Sequence, residues 1–213
     1  MNKILQIFLL LLSSHTFCQE VAILKYDGGG DWYANPTAVP NLIKFCNDEI
    51  NAGIKEKPQV VTTESNDIFN YPIVFITGHG NVLFTPAAVE NLKKYLNSGG
   101  FIHISDNYGL DKFIRREMKK VFPEHDFVEI PKNHPIFNQT FTFDDGLPKI
   151  HEHDAKPPTA YGIFIEGRLV CFYDFESDLS DGWEDLEVHN DNKQTRTKAL
   201  RMGANIIEYA FKN

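Results

Sequence analysis

Three short apolar stretches each end in a turn rich in glycine and polar side chains, and each is followed by a segment with helical spacing. Glu20–Tyr26 runs into Asp27-Gly28-Gly29-Gly30-Asp31, Ile73–Ile76 into Thr77-Gly78-His79-Gly80, and Phe101–Ser105 into Asp106-Asn107-Tyr108-Gly109. A run as wholly apolar as Ile73–Ile76 suits a strand covered on both faces. Val39, Leu42, Ile43, Cys46 and Ile50 recur at helical spacing after Pro36, and Val89, Leu92 and Leu96 do so after Thr85-Pro86. A third helix is expected over about Leu110–Val121, ending before Pro123. Strands that alternate with helices pair in parallel. The expected fold class is therefore α/β, a three-layer, doubly wound and mostly parallel sheet. Val60–Thr62 and Phe127–Ile130 read as further strands. Tyr161–Ile165 and Leu169–Phe175, joined by Glu166-Gly167-Arg168, read as a C-terminal β-hairpin, and Thr195–Phe211 as a final helix. Ligands of such sheets sit beyond the carboxyl ends of the strands, where the three turns gather.

The chain opens Met-Asn-Lys, continues with the apolar run Ile4–Leu12 and exits through Thr16-Phe17-Cys18. A basic start, an apolar stretch too short to span a bilayer and a small-residue exit describe a cleavable secretory signal over residues 1–18. Residues 19–213 are then expected as one exported domain, periplasmic or secreted, without a membrane span. The formal net charge of −8 and the lack of a basic stripe argue against nucleic acid and anionic membrane surfaces. Cleavage removes Cys18 and leaves Cys46 and Cys171, which read as buried small hydrophobes or, if they meet, as a disulfide.

Several side chains carry possible chemistry. Asp106 sits on a strand-to-helix turn, where the helix dipole favours its charged form; it reads as a base, nucleophile or metal ligand, or as a helix cap. On a strand His151 and His153 would share one face and suit a divalent metal, with Asp106, Glu117 or His134 as third ligand; hydrogen-bonded structural histidines are the alternative. Asp174, Glu176 and Asp178 lead an acidic run that reads mainly as a solvated loop, with oxygen ligation of calcium as the rival. Trp183 within it reads as a lid or a staple, and Asp31-Trp32-Tyr33 as ring-stacking residues or a cover for the sheet end. His79 could face the pocket beside Asn107 and Tyr108. Arg115 and Arg116, with Glu117, form a helix face or an anion clamp.

Thr85–Gly109, His134-Pro135-Ile136 and Phe143-Asp144-Asp145 resemble the class I glutamine amidotransferase-like fold, a flavodoxin-like architecture, and in particular its trehalose-utilisation-type members. In amidotransferases the turn after this strand carries a nucleophilic cysteine; Asp106 stands there in this chain, which speaks against glutaminase chemistry. The strings GGGDWYANP (28–36), TGHG (77–80), DNYG (106–109), RREM (115–118), HPIF (134–137), LPKIHEHDAKPP (147–158) and ESDLSDGWED (176–185) resemble a bacterial domain-of-unknown-function family, number 4159. That resemblance implies the fold but brings no activity.

Two functional expectations follow. In the first, a polar pocket at the carboxyl end of the sheet binds a small molecule, with metal-assisted hydrolysis as its reaction class. Asp106, His151, His153 and Arg115 would be its working groups, and Glu176, Asp178 and Trp183 would line it. In the second, the chain is a non-catalytic cell-envelope protein whose surface meets other envelope proteins.

Overall fold

Alternate residues of an apolar strand point to opposite faces of a sheet, and the central strands use both faces for core. The computed structural model describes residues 19–213; the secretory signal expected over residues 1–18 lies outside them. Strands β1 (Ala22–Lys25), β2 (Gln59–Thr62), β3 (Ile73–Ile76), β4 (Phe101–Ser105), β5 (Val128–Glu129), β6 (Thr159–Ile165) and β7 (Arg168–Phe175) form one seven-stranded sheet. Their order is β2-β1-β3-β4-β7-β6-β5. The pairs β1–β2, β1–β3, β3–β4 and β4–β7 are parallel, and β6 runs antiparallel to both neighbours.

Ile73, Phe75, Phe101 and Phe172 pack on one face against Leu42, Ile43 and Cys46 of α1 (Ala38–Ile50) and Met202 and Ile206 of α5 (Lys193–Lys212). Val74, Ile76, Ile102 and Ile104 pack on the other against Leu92 and Leu96 of α2 (Pro86–Asn97) and Ile114 and Met118 of α3 (Asp111–Val121). The fold is thus α/β in three layers. Cys46 and Cys171 belong to opposite layers and are free. No helix among the described residues is long and apolar enough to cross a membrane.

The helices begin where local chemistry satisfies their first amides. Thr85 caps α2 by accepting from Ala88 N at 3.1 Å, with Pro86 at the first helical position. α1 is capped from afar. Thr37 makes no side-chain cap to it; instead Glu184 Oε1 accepts from Thr37 N at 2.8 Å, Ala38 N at 3.0 Å and Thr37 Oγ1 at 3.0 Å. The carboxylate neutralises the positive end of the helix as well as its free amides.

Glu184 closes a connection, residues 176–185, that follows β7. The expectation of a solvated acidic loop fails here. Ser177, Asp178, Leu179, Ser180, Gly182, Trp183 and Glu184 are all buried. Trp183 lies against Phe75 and donates its indole N–H to Ala199 O at 2.9 Å, so it acts as a staple. Gly203 makes room for it, since a Cβ there would stand 2.8 Å from the indole ring. Nor is the run extended: Glu176 and Asp178 both take left-handed backbone, with φ of 57°, which breaks the alternation that the acidic spacing suggested. Short helix α4 (Leu186–His189) follows.

Replacement of Glu184 leaves Thr37 N without an acceptor and Ala38 N with only its 3.3 Å bond to Asn35 O. Glu184→Ala is expected to lower the unfolding free energy by about 2 kcal/mol, the scale of a lost charged cap. Urea titration with an unchanged slope checks this; a loss under about 0.5 kcal/mol would show that the loop does not hold α1.

Candidate functional site

The strand order reverses between β1 and β3, and a doubly wound sheet opens a crevice at such a point. The structure has a cavity of about 220 Å³ there, walled by Ile23, Val39, Phe75 and Trp183 and rimmed by Trp32 and Tyr33. Its polar groups are Asn35, Thr77, His103, Ser105 and Ser180. Thr77 Oγ1 stands 3.0 Å from Asn35 Oδ1 and 3.1 Å from Asn107 Oδ1. Ser180 Oγ donates to Asn107 Oδ1 at 3.0 Å, and Asn107 Nδ2 donates to Asn35 Oδ1. Ser180 N donates to Ser105 Oγ at 3.2 Å, which ties the loop to the end of β4. A larger groove of about 900 Å³ lies between residues 141–149 and the first turns of α5. Its polar side chains are exposed or half-buried, so the smaller cavity, with its buried polar groups, is the candidate site.

Beneath the cavity floor His103 Nε2 meets Asp174 Oδ2 at 2.7 Å, and Ser105 Oγ donates to Asp174 Oδ1 at 3.1 Å. All three are buried. Burial pushes the Asp174 carboxyl well above the usual range and the His103 imidazole down to about 3. Both shifts favour the uncharged forms of the pair. Serine and histidine both bond the aspartate and not each other, so the three do not form the serine–histidine–aspartate order of a nucleophilic triad.

A charged cluster flanks this neutral network. Asn35 Nδ2 donates to Asp181 Oδ1 at 2.6 Å. The other oxygen of Asp181 faces His151 Nδ1 at 3.7 Å and His189 Nε2 at 3.8 Å. His151 Nε2 meets Asp191 Oδ1 at 3.0 Å. Asp181 most of all, and then Asp191 against the effect of burial, raise His151 to about 9. Asp178 lies 3.7 Å from His151 and bonds His153. Burial, with Asp181 nearby, raises its carboxyl to about 6, opposed by His153.

The other expected residues fall in several places. Asp106 is buried in the turn before α3, accepting from Leu110 N at 3.0 Å and Tyr173 Oη at 2.9 Å. Burial raises its carboxyl and outweighs those two donors, so the lowering expected from the helix dipole does not prevail. His151 and His153 do not share a strand face, because residues 149–158 form no strand. His153 turns to Asp178 and stacks on Tyr108 at 4.7 Å, whose hydroxyl donates to Asp154 at 3.0 Å. Asp31 Oδ2 meets His79 Nδ1 at 3.0 Å on the exposed rim. Close passage of residues 79–81 explains a glycine there: a Cβ on Gly30 would stand 2.7 Å from His79 O and Asn81 O. Glu176 is buried near Lys149 and Lys156, at 3.4 and 3.6 Å.

Three expected residues serve packing. Arg115 lies over Tyr161 at 4.5 Å and pairs with Asp111 at 2.6 Å. Glu117 is buried at the foot of α2's entry loop; Phe84 N, Arg116 and Lys120 all donate to it. Burial alone would raise its pKa, and those donors together hold it below the ordinary value. His134 starts a short helical turn and packs on Phe164 and Tyr209, toward the amino ends of the strands. Sequence reasoning passed over Asn35, Thr77, His103, Ser105, Ser180 and His189 as site residues, and met Asp181 only as a member of the acidic run. Only His103 had a local signal, a histidine inside an otherwise apolar strand.

A family model described as a domain of unknown function (DUF4159) matches residues 20–211. Comparison with curated proteins finds no match.

His151 is held above its unfolded pKa of about 6.5, so its contribution to stability is full below that pH and is lost as pH rises through about 9. Asp178, raised to about 6, acts in the same sense between about pH 4 and 6. Chelator-treated protein is expected to lose unfolding free energy between pH 6.5 and 9 in urea titrations, and His151→Gln to flatten that loss. A rise in stability across the window would contradict the assignment.

Proposed function

The chain belongs to the DUF4159 family, and from that premise we propose that it is an exported protein that binds a small, uncharged, ring-bearing molecule in the cavity between β1 and β3. The observation that carries this reading is the convergence of neutral hydrogen-bonding groups, Asn35, Thr77, Ser105 and Ser180, on one apolar cavity at the strand-order reversal. Such a combination of apolar wall and few directed polar groups is typical of small-molecule sites. About 220 Å³ admits a single ring with substituents. No cation lines the cavity, so a charged ligand would enter without a partner and bear the desolvation cost. Trp32 and Tyr33, edge to face at 5.5 Å, supply a stacking rim.

Two further readings belong with this one. The five parallel strands follow the order of flavodoxin-like sheets, which supports an amidotransferase-like scaffold. The inherited thiol chemistry has no support: Asp106 occupies the turn after β4 and is spent on Leu110 and Tyr173. Burial also raises both cysteine thiols, Cys46 to about 12. The apolar run Ile4–Leu12 supports export.

Crystals soaked with a set of neutral ring fragments test the assignment. Fragments are expected to concentrate in this cavity, stacked at Trp32 and bonded to Asn35 or Thr77. Fragments that bind only elsewhere, with the cavity empty at the same concentrations, would contradict it.

A further inference from the structure

Across the Asp181 carboxylate from Asn35, side chains from two loops and α4 face one another at separations that no hydrogen bond explains. His151 Nδ1 stands 3.7 Å from Asp181 Oδ2 and 3.7 Å from Asp178 Oδ2, and His189 Nε2 stands 3.8 Å from that Asp181 oxygen. Hydrogen bonds between nitrogen and oxygen fall at about 2.7–3.2 Å. Around a tetrahedral metal with bonds of about 2.0–2.2 Å, neighbouring ligand atoms stand about 3.3–3.6 Å apart. The two distances to Asp181 Oδ2 exceed that spacing by a few tenths of an ångström. Ligand atoms of His151, Asp181 and His189 all lie within 4.8 Å of one another.

A second observation is independent of this spacing. Asp178 is 1 % exposed, and its Oδ1 has no hydrogen-bond partner. A buried carboxylate oxygen without a donor is costly. Its Oδ2 is engaged by His153 and also stands 3.7 Å from His151 Nδ1, so a carboxylate that borders the cluster keeps one oxygen unpartnered.

We propose that His151 Nδ1, Asp181 Oδ2 and His189 Nε2, beside the Asp178 carboxylate, bind one divalent ion of the zinc class. The surroundings are those of prepared ligands. Asp191 accepts from His151 Nε2, which keeps a proton on that nitrogen while a metal displaces the one on Nδ1. Asn35 holds Asp181 Oδ1 and so orients Oδ2. Two imidazoles and two carboxylates neutralise a dication, and imidazole nitrogen favours zinc or cobalt over magnesium and calcium. The site stands whether or not the neighbouring cavity takes a ligand, although Asn35 belongs to both.

Titration calorimetry on chelator-treated protein with zinc chloride tests the proposal, with magnesium and calcium chlorides as controls. One zinc per chain is expected, with no response to the controls, and cobalt chloride should give the intense visible absorption of a four-coordinate ion. His151→Ala and His189→Ala should each weaken zinc about 100-fold or more, and Asp191→Asn about 10-fold, the scale of an outer hydrogen bond. His189 is partly exposed on α4, so its variant keeps the test open if His151→Ala does not fold. Zinc affinity no tighter than millimolar, or zinc binding unchanged in His189→Ala, would overturn the site.

Discussion

The Glu184 carboxylate reaches across 147 residues of sequence to the amino terminus of α1 and accepts from the amides of Thr37 and Ala38. A helix end without such an acceptor would present unsatisfied donors at the rim of the core. The same contact fixes the end of the connection that follows β7. Asn41 reinforces it, donating to Trp183 O and to Asp185 Oδ1, both at 2.9 Å. Once that end is fixed, Trp183 must enter the layer between sheet and α5, and Ser180 must lie over Ser105. Asp181 then falls beside Asn35. Cavity wall and histidine–carboxylate cluster are thus two sides of one loop.

That loop also sorts polar groups by charge. The cavity side holds hydroxyls, amides and a His103–Asp174 pair without net charge. Ionisable groups held above their ordinary values, Asp178 at about 6 and His151 at about 9, stand on the other side of Asp181. Buried charge is tolerated only with partners, and the two sides solve this differently. The inner side avoids charge. The outer side brings carboxylates and imidazoles together, with one buried oxygen of Asp178 still unpartnered.

Much of the architecture was legible in the sequence. Apolar runs ending in glycine turns gave β1, β3 and β4, and Thr85-Pro86 marked the start of α2 through a cap that is local by nature. The location of the site at the strand ends followed from the parallel order. The loop did not follow, because its partners lie far along the chain. Glutamates and aspartates at 176–185 read as solvated when only neighbours are considered, and Thr37, Asn35 and Asn41 are not neighbours. The His151–His153 pair misled for a related reason. Its alternation has meaning only on a strand, and residues 149–158 are irregular, so the imidazoles diverge. Asn35, Thr77 and Ser180 had no signal, since neutral polar side chains in turns are common and only assembly makes them a site.

Native-state hydrogen exchange at the amides of Ser180, Trp183 and Glu184 tests most directly whether this loop is part of the core. These amides donate to Ser105 Oγ, Ser180 O and Asp181 O. On this account they open only with global unfolding, and their exchange free energies equal those of β3 and β4 amides. Exchange near the rate of an unstructured chain would show a solvated acidic loop, and would remove the common support of cavity and cluster.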